Sequence, residues 1–321
     1  MFAHGYPFDP SYGRNLAELH AIEPPPEAPD FADFWRGLYA QARAVDPAPR
    51  LHEVTSPRAE TWRLFELGFT SLGARSVGGW LLLPSRGPIE RGLIVGHGYG
   101  GRDAPTAEEV DDLPPRCAVL LPCARGISRS ACADIPSDPM RHVLHGLSSR
   151  ETSVLAGCAA DLVWSAASAL IALQPGAARR LDCIGISFSG GIAALALPWD
   201  DRFARAHLCV PTFGHHPLRM ACPCVGSGEA LRHRQAQNPH TLELLRYFDA
   251  ASAARHLHRP VLVAAALFDP AVPPPGQFAI FNALPGPKTL FVLQAGHFDH
   301  PGAADEQARL RQSVADFLAA D

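Results

Sequence analysis

The chain has 321 residues and a formal net charge of −4, from 28 lysine and arginine residues against 32 aspartate and glutamate residues. This length suffices for one domain with a full hydrophobic core, so we expect a single domain over residues 1–321. The acidic balance comes without a basic block, which disfavours nucleic acids and anionic membranes as partners. Eight cysteines are too few for a disulfide scaffold at this size, and we expect buried thiols in a reducing compartment.

The N-terminus and the hydropathy pattern lead us to expect a cytoplasmic protein. Residues 1–7, MFAHGYP, have neither the basic start nor the apolar core of a secretory signal. We also find no apolar run of about 20 residues of the kind that spans a membrane.

The first third of the chain predicts an arm, a helix and a hairpin. Residues 1–50 are expected to form the arm and a helix that begins near Asp30. Residues 61–84 predict an antiparallel hairpin with Gly73 in its turn. Strands and helices then alternate from Gly92 to the C-terminus.

This alternation predicts an α/β fold, in which a mostly parallel sheet is wrapped by helices. It includes a long helix over about 151–173 and a last helix near 303–318. Between residues 211 and 245 the alternation lapses into a stretch rich in histidine, proline and arginine. We expect that stretch to form a cap-like helical insertion.

A glycine-rich loop, GHGYGG at residues 96–101, follows the apolar segment Gly92–Val95. Glycine lets backbone N–H groups turn toward a ligand without a side chain in the way. The loop lacks both GxxxxGK[ST] and GxGxxG before a helix, which disfavours a nucleotide phosphate site. In the α/β-hydrolase fold one donor to the oxyanion comes from the loop after an early strand, which makes the N–H of Tyr99 a candidate here.

The pentapeptide GISFS at residues 185–189 predicts a strand, a sharp turn and a helix. Such an elbow presents a serine as a nucleophile and needs small residues two before and two after it. Ser187 meets this demand and follows directly on the apolar strand, whereas a register centred on Ser189, with Gly191 as a flank, also fits. A serine- and glycine-rich loop without chemistry is the competing interpretation. With Ser187 as nucleophile, the N–H of Phe188 is the second oxyanion donor.

An acid and a base follow in the order that an α/β-hydrolase requires, which is serine, acid, histidine. Asp269 lies just after the buried-strand pattern at residues 260–267, and His297 lies in the loop after the next predicted strand. The carboxyl ends of parallel strands form the sites of open α/β sheets. We therefore expect His297 to act as the base and Asp269 to orient it, with Asp299 and His300 as local competitors.

Two short motifs lie within the cap-like insertion, which we expect to lie near the active site. Cys222-Pro223-Cys224 has no second cysteine pair and no spaced histidine pair beside it, so a metal or redox role is disfavoured. His215-His216 is expected to be solvated or to line the mouth of the site.

Beyond these motifs, several segments resemble carbohydrate esterase family seven, the acetyl xylan esterase and cephalosporin C deacetylase family, over nearly the whole chain. The segments that carry the resemblance are GGWLLLP at 78–84, HGYGG at 97–101, Arg125-Gly126, RYFDA at 246–250 and NALPGPK at 282–288.

The sequence departs from the family pattern beside the nucleophile. The family usually has Gly-x-Ser-Gln-Gly-Gly, where this chain has Phe188 and Ser189 after Ser187. The family also has an Arg-Gly-Gln-Gly motif, and this chain has Ile127 where that motif has glutamine. Both changes remove an amide side chain, so we expect a repacked pocket or supporting loop.

The resemblance implies a serine esterase that removes acetyl or other short acyl groups from sugars or related alcohols, without a metal or organic cofactor. It also implies a homo-oligomer, with a hexameric ring as the family's arrangement. Two alternatives stay open. One is a carboxylesterase, thioesterase or lactonase of the same fold acting on a more apolar substrate, and the other is a catalytically silent binding module.

Overall fold

The computed structural model describes residues 2–56, 59–106 and 113–320. These residues contain one nine-stranded sheet, whose strand order is β1-β2-β3-β5-β4-β6-β7-β8-β9. The strands are β1 (Arg50–Val54), β2 (Trp62–Ser71), β3 (Arg75–Pro84), β4 (Arg91–Val95), β5 (Cys117–Pro122), β6 (Leu181–Ile186), β7 (Phe203–Cys209), β8 (Val261–Ala266) and β9 (Lys288–Leu293).

The helices of the described residues are α1 (Leu16–His20), α2 (Phe31–Arg43), α3 (Pro139–His142), α4 (Val154–Leu173), α5 (Phe188–Ala196), α6 (His216–Ala221), α7 (Ser227–Gln237), α8 (Thr241–Leu245), α9 (Ala250–Ala254), α10 (Pro274–Ala283) and α11 (Ala303–Ala319). Helix α4 contains a π-helical segment, Ala160–Trp164. The expectation that the chain has no apolar run of about 20 residues is wrong here: this helix is long and apolar enough to cross a membrane, but 89% of its apolar window is buried inside the molecule.

The predicted hairpin is confirmed. Strands β2 and β3 pair antiparallel, with Ser71 opposite Arg75, and Gly73 adopts φ +75° in the turn between them. This positive φ is readily accessible to glycine because it has no Cβ.

The strands from β4 to β9 run parallel, whereas β1, β2 and β3 are antiparallel to their neighbours. Every residue of β5 and β8 is buried, as expected for parallel strands covered on both faces. The largest core cluster joins the sheet to α2, α4, α5, α9 and α10, while Leu310 of α11 packs on Leu262 and Leu293 from the other face. The prediction of a mostly parallel sheet wrapped by helices is therefore confirmed.

This topology brings six loops to one edge of the sheet. They follow the carboxyl ends of β4, β5, β6, β7, β8 and β9, the edge where open α/β sheets build their sites. The loop after β7 leads into α6, α7 and α8, which lie within the insertion expected at residues 211–245.

Candidate active site

Ser187 occupies the sharp turn between β6 and α5. Its φ of 54° and ψ of −108° are strained for a residue with a side chain, and such strain persists only where surrounding bonds impose it. The Ser187 N–H donates to Cys209 O at 2.8 Å, and Ser187 O accepts from the N–H groups of Gly191 (3.1 Å) and Thr212 (3.2 Å). A Cβ on Gly185 would lie only 2.6 Å from the backbone oxygen two residues after Ser187, so the strand and helix can meet only with glycine there.

Ser189, the alternative nucleophile, is buried and turned back toward its own chain. Its Oγ accepts a hydrogen bond from the Ile186 N–H at 2.8 Å and donates one to Ile186 O at 3.1 Å. Both capacities of this hydroxyl are used locally. The structure thus places Ser187, and not Ser189, in the position open to a substrate.

Ser187, His297 and Asp269, the three side chains predicted from the sequence order, form one hydrogen-bonded chain. His297 Nε2 lies 2.9 Å from Ser187 Oγ, and His297 Nδ1 lies 2.8 Å from Asp269 Oδ2. Asp269 is fully buried, and its Oδ1 accepts from the N–H groups of Ala271 and Val272, both at 2.9 Å. Because an ionised carboxylate only accepts, Nδ1 carries the proton and Nε2 faces the serine as an acceptor.

Opposing influences set the pKa of His297, whose side chain is 30% exposed. Burial lowers this pKa, while the hydrogen bond and the negative charge of Asp269 raise it, and the positive charge of Arg219 lowers it. The net result is a pKa above the ordinary value of 6.5. The contact with Asp269 therefore favours the protonated form of His297.

Gln277 and Gly296 support the acid, and sequence reasoning missed both. The Gln277 Nε2 donates to Asp269 Oδ2 at 3.0 Å and to Val272 O at 2.7 Å, and its Oε1 accepts from the Ala266 N–H at 2.8 Å. A Cβ on Gly296 would lie 2.5 Å from Asp269 Oδ2, so the loop can approach the carboxylate only with glycine there. The sequence signal that could have identified Gln277 is its amide side chain within the mostly apolar segment that follows Asp269.

The two local competitors lie elsewhere. His300 Nδ1 donates to Pro301 O at 3.0 Å, and its Nε2 lies 3.4 Å from a carboxylate oxygen of Glu306 on α11. Asp299 is exposed. Neither residue is brought into the line formed by Asp269 and His297.

The oxyanion donors predicted from the sequence lie beside the nucleophile. A Cβ on Gly98 would be 3.9 Å from the Cβ of Ser187, so the glycine-rich loop passes directly next to the elbow. Within the described part of the chain, the N–H groups of Tyr99 and Phe188 donate to no protein acceptor. Both donors are therefore left for a ligand oxygen.

His97 fixes the orientation of this loop and was not singled out from the sequence. Its ring is buried, with Nδ1 donating to Gly98 O at 2.6 Å and Nε2 accepting from the Ala124 N–H at 3.0 Å. In a trans peptide the C=O and the N–H point in opposite directions. Holding the carbonyl of Gly98 therefore also sets the direction of the Tyr99 N–H.

The ring of Phe188 is fully buried. It stacks on Tyr99 with 4.1 Å between ring centroids and an angle of 28°, and it meets His142 and Phe213 edge-on at 5.9 and 6.1 Å. Ile127 is buried as well. Aromatic packing against the glycine-rich loop thus stands where the resembled family has an amide, and the Phe188 ring is buried away from solvent.

A cavity of about 440 Å³ adjoins His297 on the side of the sheet covered by α11. Its lining is mostly apolar and includes Ile184, Ile186, Val210 and Val314. This is the apolar space that the sequence alone did not reveal.

The structure also describes the two short motifs of the insertion, Cys222-Pro223-Cys224 and His215-His216. Cys224 is buried and Cys222 half-buried, both as free thiols, and the described residues contain no cluster of three or more metal-binding side chains. The expectation for the histidine pair is wrong at His216, which is fully buried and donates from Nε2 to Phe248 O at 3.0 Å. Its neighbour His215 is half-buried and accepts from the Leu218 N–H at the start of α6.

Comparisons with known proteins agree with this architecture. The acetyl xylan esterase (AXE1) family model matches residues 14–313. The acetyl xylan esterase 1 of Thermoanaerobacterium sp. is similar in structure, with a TM-score of 0.79, 19% identity, and 96% of this chain and 99% of that chain covered. An acetyl xylan esterase from Paenibacillus sp. R4 is similar as well, with a TM-score of 0.77, 20% identity, and 94% of this chain and 99% of that chain covered.

A more distant likeness is to an acylaminoacyl peptidase of Pyrococcus horikoshii, with a TM-score of 0.60, 15% identity, and 86% of this chain and 42% of that chain covered. No protein with a curated description matches. The fold shared with these esterases and peptidases is that of the α/β-hydrolases, as expected from the sequence.

Proposed function

The chain belongs to the acetyl xylan esterase family and is a carboxylic ester hydrolase, and we propose that Ser187, His297 and Asp269 hydrolyse acetyl or other short acyl esters of sugar hydroxyls. The observation that supports these roles is the line from Ser187 Oγ to His297 Nε2 (2.9 Å) and from His297 Nδ1 to Asp269 (2.8 Å). These distances fall within the range that proton transfer between a nucleophile and its base requires. Family membership also argues against a catalytically silent binding module.

In the first half of the reaction, Ser187 Oγ attacks the ester carbonyl carbon while His297 Nε2 takes the hydroxyl proton. The carbonyl oxygen becomes an oxyanion, which accepts hydrogen bonds from the N–H groups of Tyr99 and Phe188. His297 then gives its proton to the departing alcohol oxygen as the bond to carbon breaks. The products are a free alcohol and an acyl group bound to Ser187.

In the second half, a water molecule takes the place of the alcohol. His297 removes a proton from this water as it attacks the acyl carbon, and the second oxyanion uses the same two donors. The proton then returns to Ser187 Oγ as the acid leaves, which restores the enzyme. Asp269 stays ionised throughout and holds the imidazole in one tautomer.

The substrate class is tested with acetylated xylose and other acetylated sugars, cephalosporin C, and p-nitrophenyl esters from acetyl to octanoyl. We expect the highest kcat/KM on acetyl esters and a steep decline with chain length, because each methylene changes the discrimination by about 1–3 kcal/mol. Ser187→Ala protein is the matched control for non-enzymatic hydrolysis. An optimum at hexanoyl or longer would contradict the deacetylase assignment.

The second candidate is a carboxylesterase that acts on a more apolar ester. The apolar cavity of about 440 Å³ beside His297 favours it, because this space is large enough for an alkyl or aryl group. Substitution of Ile186, which lines the cavity, by Trp would then lower kcat/KM for octanoyl esters more than for acetyl esters.

We also propose a homo-oligomer, with the hexamer implied by the family resemblance, and a cytoplasmic location. Eight free cysteines support a reducing compartment. Sedimentation velocity of the full chain tests the assembly, and a monomer at micromolar concentration would contradict it.

A further inference from the structure

Arg219 is a buried arginine without a counter-charge. It lies on α6 within the helical insertion and is only 3% exposed. Its Nε is completely buried without a hydrogen-bond partner, and no carboxylate of residues 2–56, 59–106 and 113–320 pairs with its guanidinium. An uncompensated buried charge is costly, so a group from outside the chain is expected to complete it.

The guanidinium packs against the start of α7 inside the insertion. A Cβ on Gly228 would be 2.5 Å from one of its terminal nitrogens and 2.7 Å from Cys224 Sγ, so glycine at the start of α7 makes room for it. Burial raises the pKa of the Tyr99 phenol, and the charge of Arg219 opposes that rise. Burial likewise lowers the pKa of His297, and Arg219 adds to that effect. The arginine is thus within electrostatic reach of both the oxyanion loop and the base.

The other titratable groups around Arg219 do not balance its charge. Burial lowers the pKa of His216 to about 3 and raises the pKa of Cys222 to about 11, so both are neutral near pH 7. Burial also raises the pKa values of Tyr12 and Cys224. The nearby charge of Asp269 is held by His297, an amide side chain and two backbone N–H groups. One buried positive charge is therefore left unbalanced within electrostatic reach of His297 and Tyr99, which suits a monoanion better than a phosphate dianion.

We propose that Arg219 binds a carboxylate on the alcohol part of the substrate, so that the enzyme favours acetyl esters of hydroxy acids or acidic sugars over neutral esters. An acetyl group carries no carboxylate, so the carboxylate that Arg219 binds must lie on the alcohol part of the ester. The planar guanidinium matches a carboxylate with two parallel hydrogen bonds. This inference rests on the proposed ester hydrolysis at Ser187.

The test compares 4-acetoxybenzoate with 4-acetoxybenzamide, which have nearly the same shape and differ in charge. We expect Arg219→Gln to lower the ratio of kcat/KM for the acid to that for the amide by about tenfold or more, mainly through KM. Arg219→Lys keeps the charge and should retain part of the preference. Arg234→Gln, which removes an exposed arginine of α7, is the matched control and should leave the ratio unchanged.

An unchanged ratio in Arg219→Gln protein, with or without an equal loss on both esters, would overturn the proposal. Calorimetry makes the test independent of turnover, because 4-acetoxybenzoate should bind Ser187→Ala protein and bind the Ser187→Ala, Arg219→Gln protein about tenfold more weakly. Equal binding by these two proteins would also overturn it. If the wild-type protein hydrolyses no ester but binding depends on Arg219, the proposed function fails while the carboxylate site stands.

Discussion

The backbone N–H of Ile186 donates a hydrogen bond of 2.8 Å to the hydroxyl of Ser189, which holds that hydroxyl against the strand before the elbow. This contact separates the two serines by role. We expect Ser187→Ala to lower kcat about 10³-fold or more, leaving only the rate that binding and the oxyanion donors support. We expect Ser189→Ala to keep most of the activity and to lower the free energy of unfolding by about 1 kcal/mol.

Steady-state kinetics on p-nitrophenyl acetate, with urea unfolding of each variant, measures both effects. A Ser189→Ala protein as inactive as Ser187→Ala, with unchanged stability, would contradict the assignment of the nucleophile.

The histidine variants form a second matched pair. His297→Ala should lower kcat roughly 10³-fold or more because no other base faces Ser187 in the described structure. His300→Ala should lower kcat by less than about tenfold, since His300 bonds to Pro301 and Glu306. The same kinetic assay decides between them, and an active His297→Ala protein would show that the base had been misassigned.

The pH dependence follows from the contact between Asp269 and His297. His297 must be neutral to accept the serine proton, so activity is lost as the pH falls through its pKa. Asp269 holds this pKa above the ordinary 6.5, so the acidic limb of kcat/KM should lie above that pH. Asp269→Asn removes the negative charge and should move the limb to lower pH, with a maximum reduced by orders of magnitude. A limb that stays in place or moves to higher pH would contradict this account.

The buried ring of Phe188 predicts a large stability effect. Phe188→Ala removes the stack on Tyr99 and leaves a cavity, so the free energy of unfolding should fall by about 3–5 kcal/mol. Phe317→Ala, at a half-buried position of α11, is the control and should cost less. Urea unfolding followed by circular dichroism measures both. A Phe188→Ala protein within about 1 kcal/mol of wild type would show that the ring is not a packing element.

The parts of this site that local sequence determines could be predicted. Gly185 and Ser187 are separated by two positions directly after an apolar strand, and this spacing is imposed by the contact of strand and helix at the elbow. Asp269 and His297 each follow a strand of the parallel sheet, so the topology alone brings them to one edge. The hairpin at residues 62–84 follows from alternation and one glycine turn in the same way.

The parts that depend on packing between distant segments could not be predicted. Gln277 reaches Asp269 only because α10 packs beneath the loop after β8, and the burial of Arg219 depends on the contact of α6 with the start of α7. The burial of His216 depends on its bond to Phe248, 32 residues away. The direction of the Phe188 ring likewise depends on Tyr99 and Phe213, which belong to other loops.

Covalent labelling of the serine tests the central claim most directly. The full chain is incubated with an active-site-directed fluorophosphonate, digested, and mapped by tandem mass spectrometry, with Ser187→Ala and His297→Ala proteins alongside. We predict a single phosphonylated residue, Ser187, with no label in the Ser187→Ala protein and strongly slowed labelling in the His297→Ala protein. Label on Ser189, or no label on a folded wild-type chain, would contradict the account.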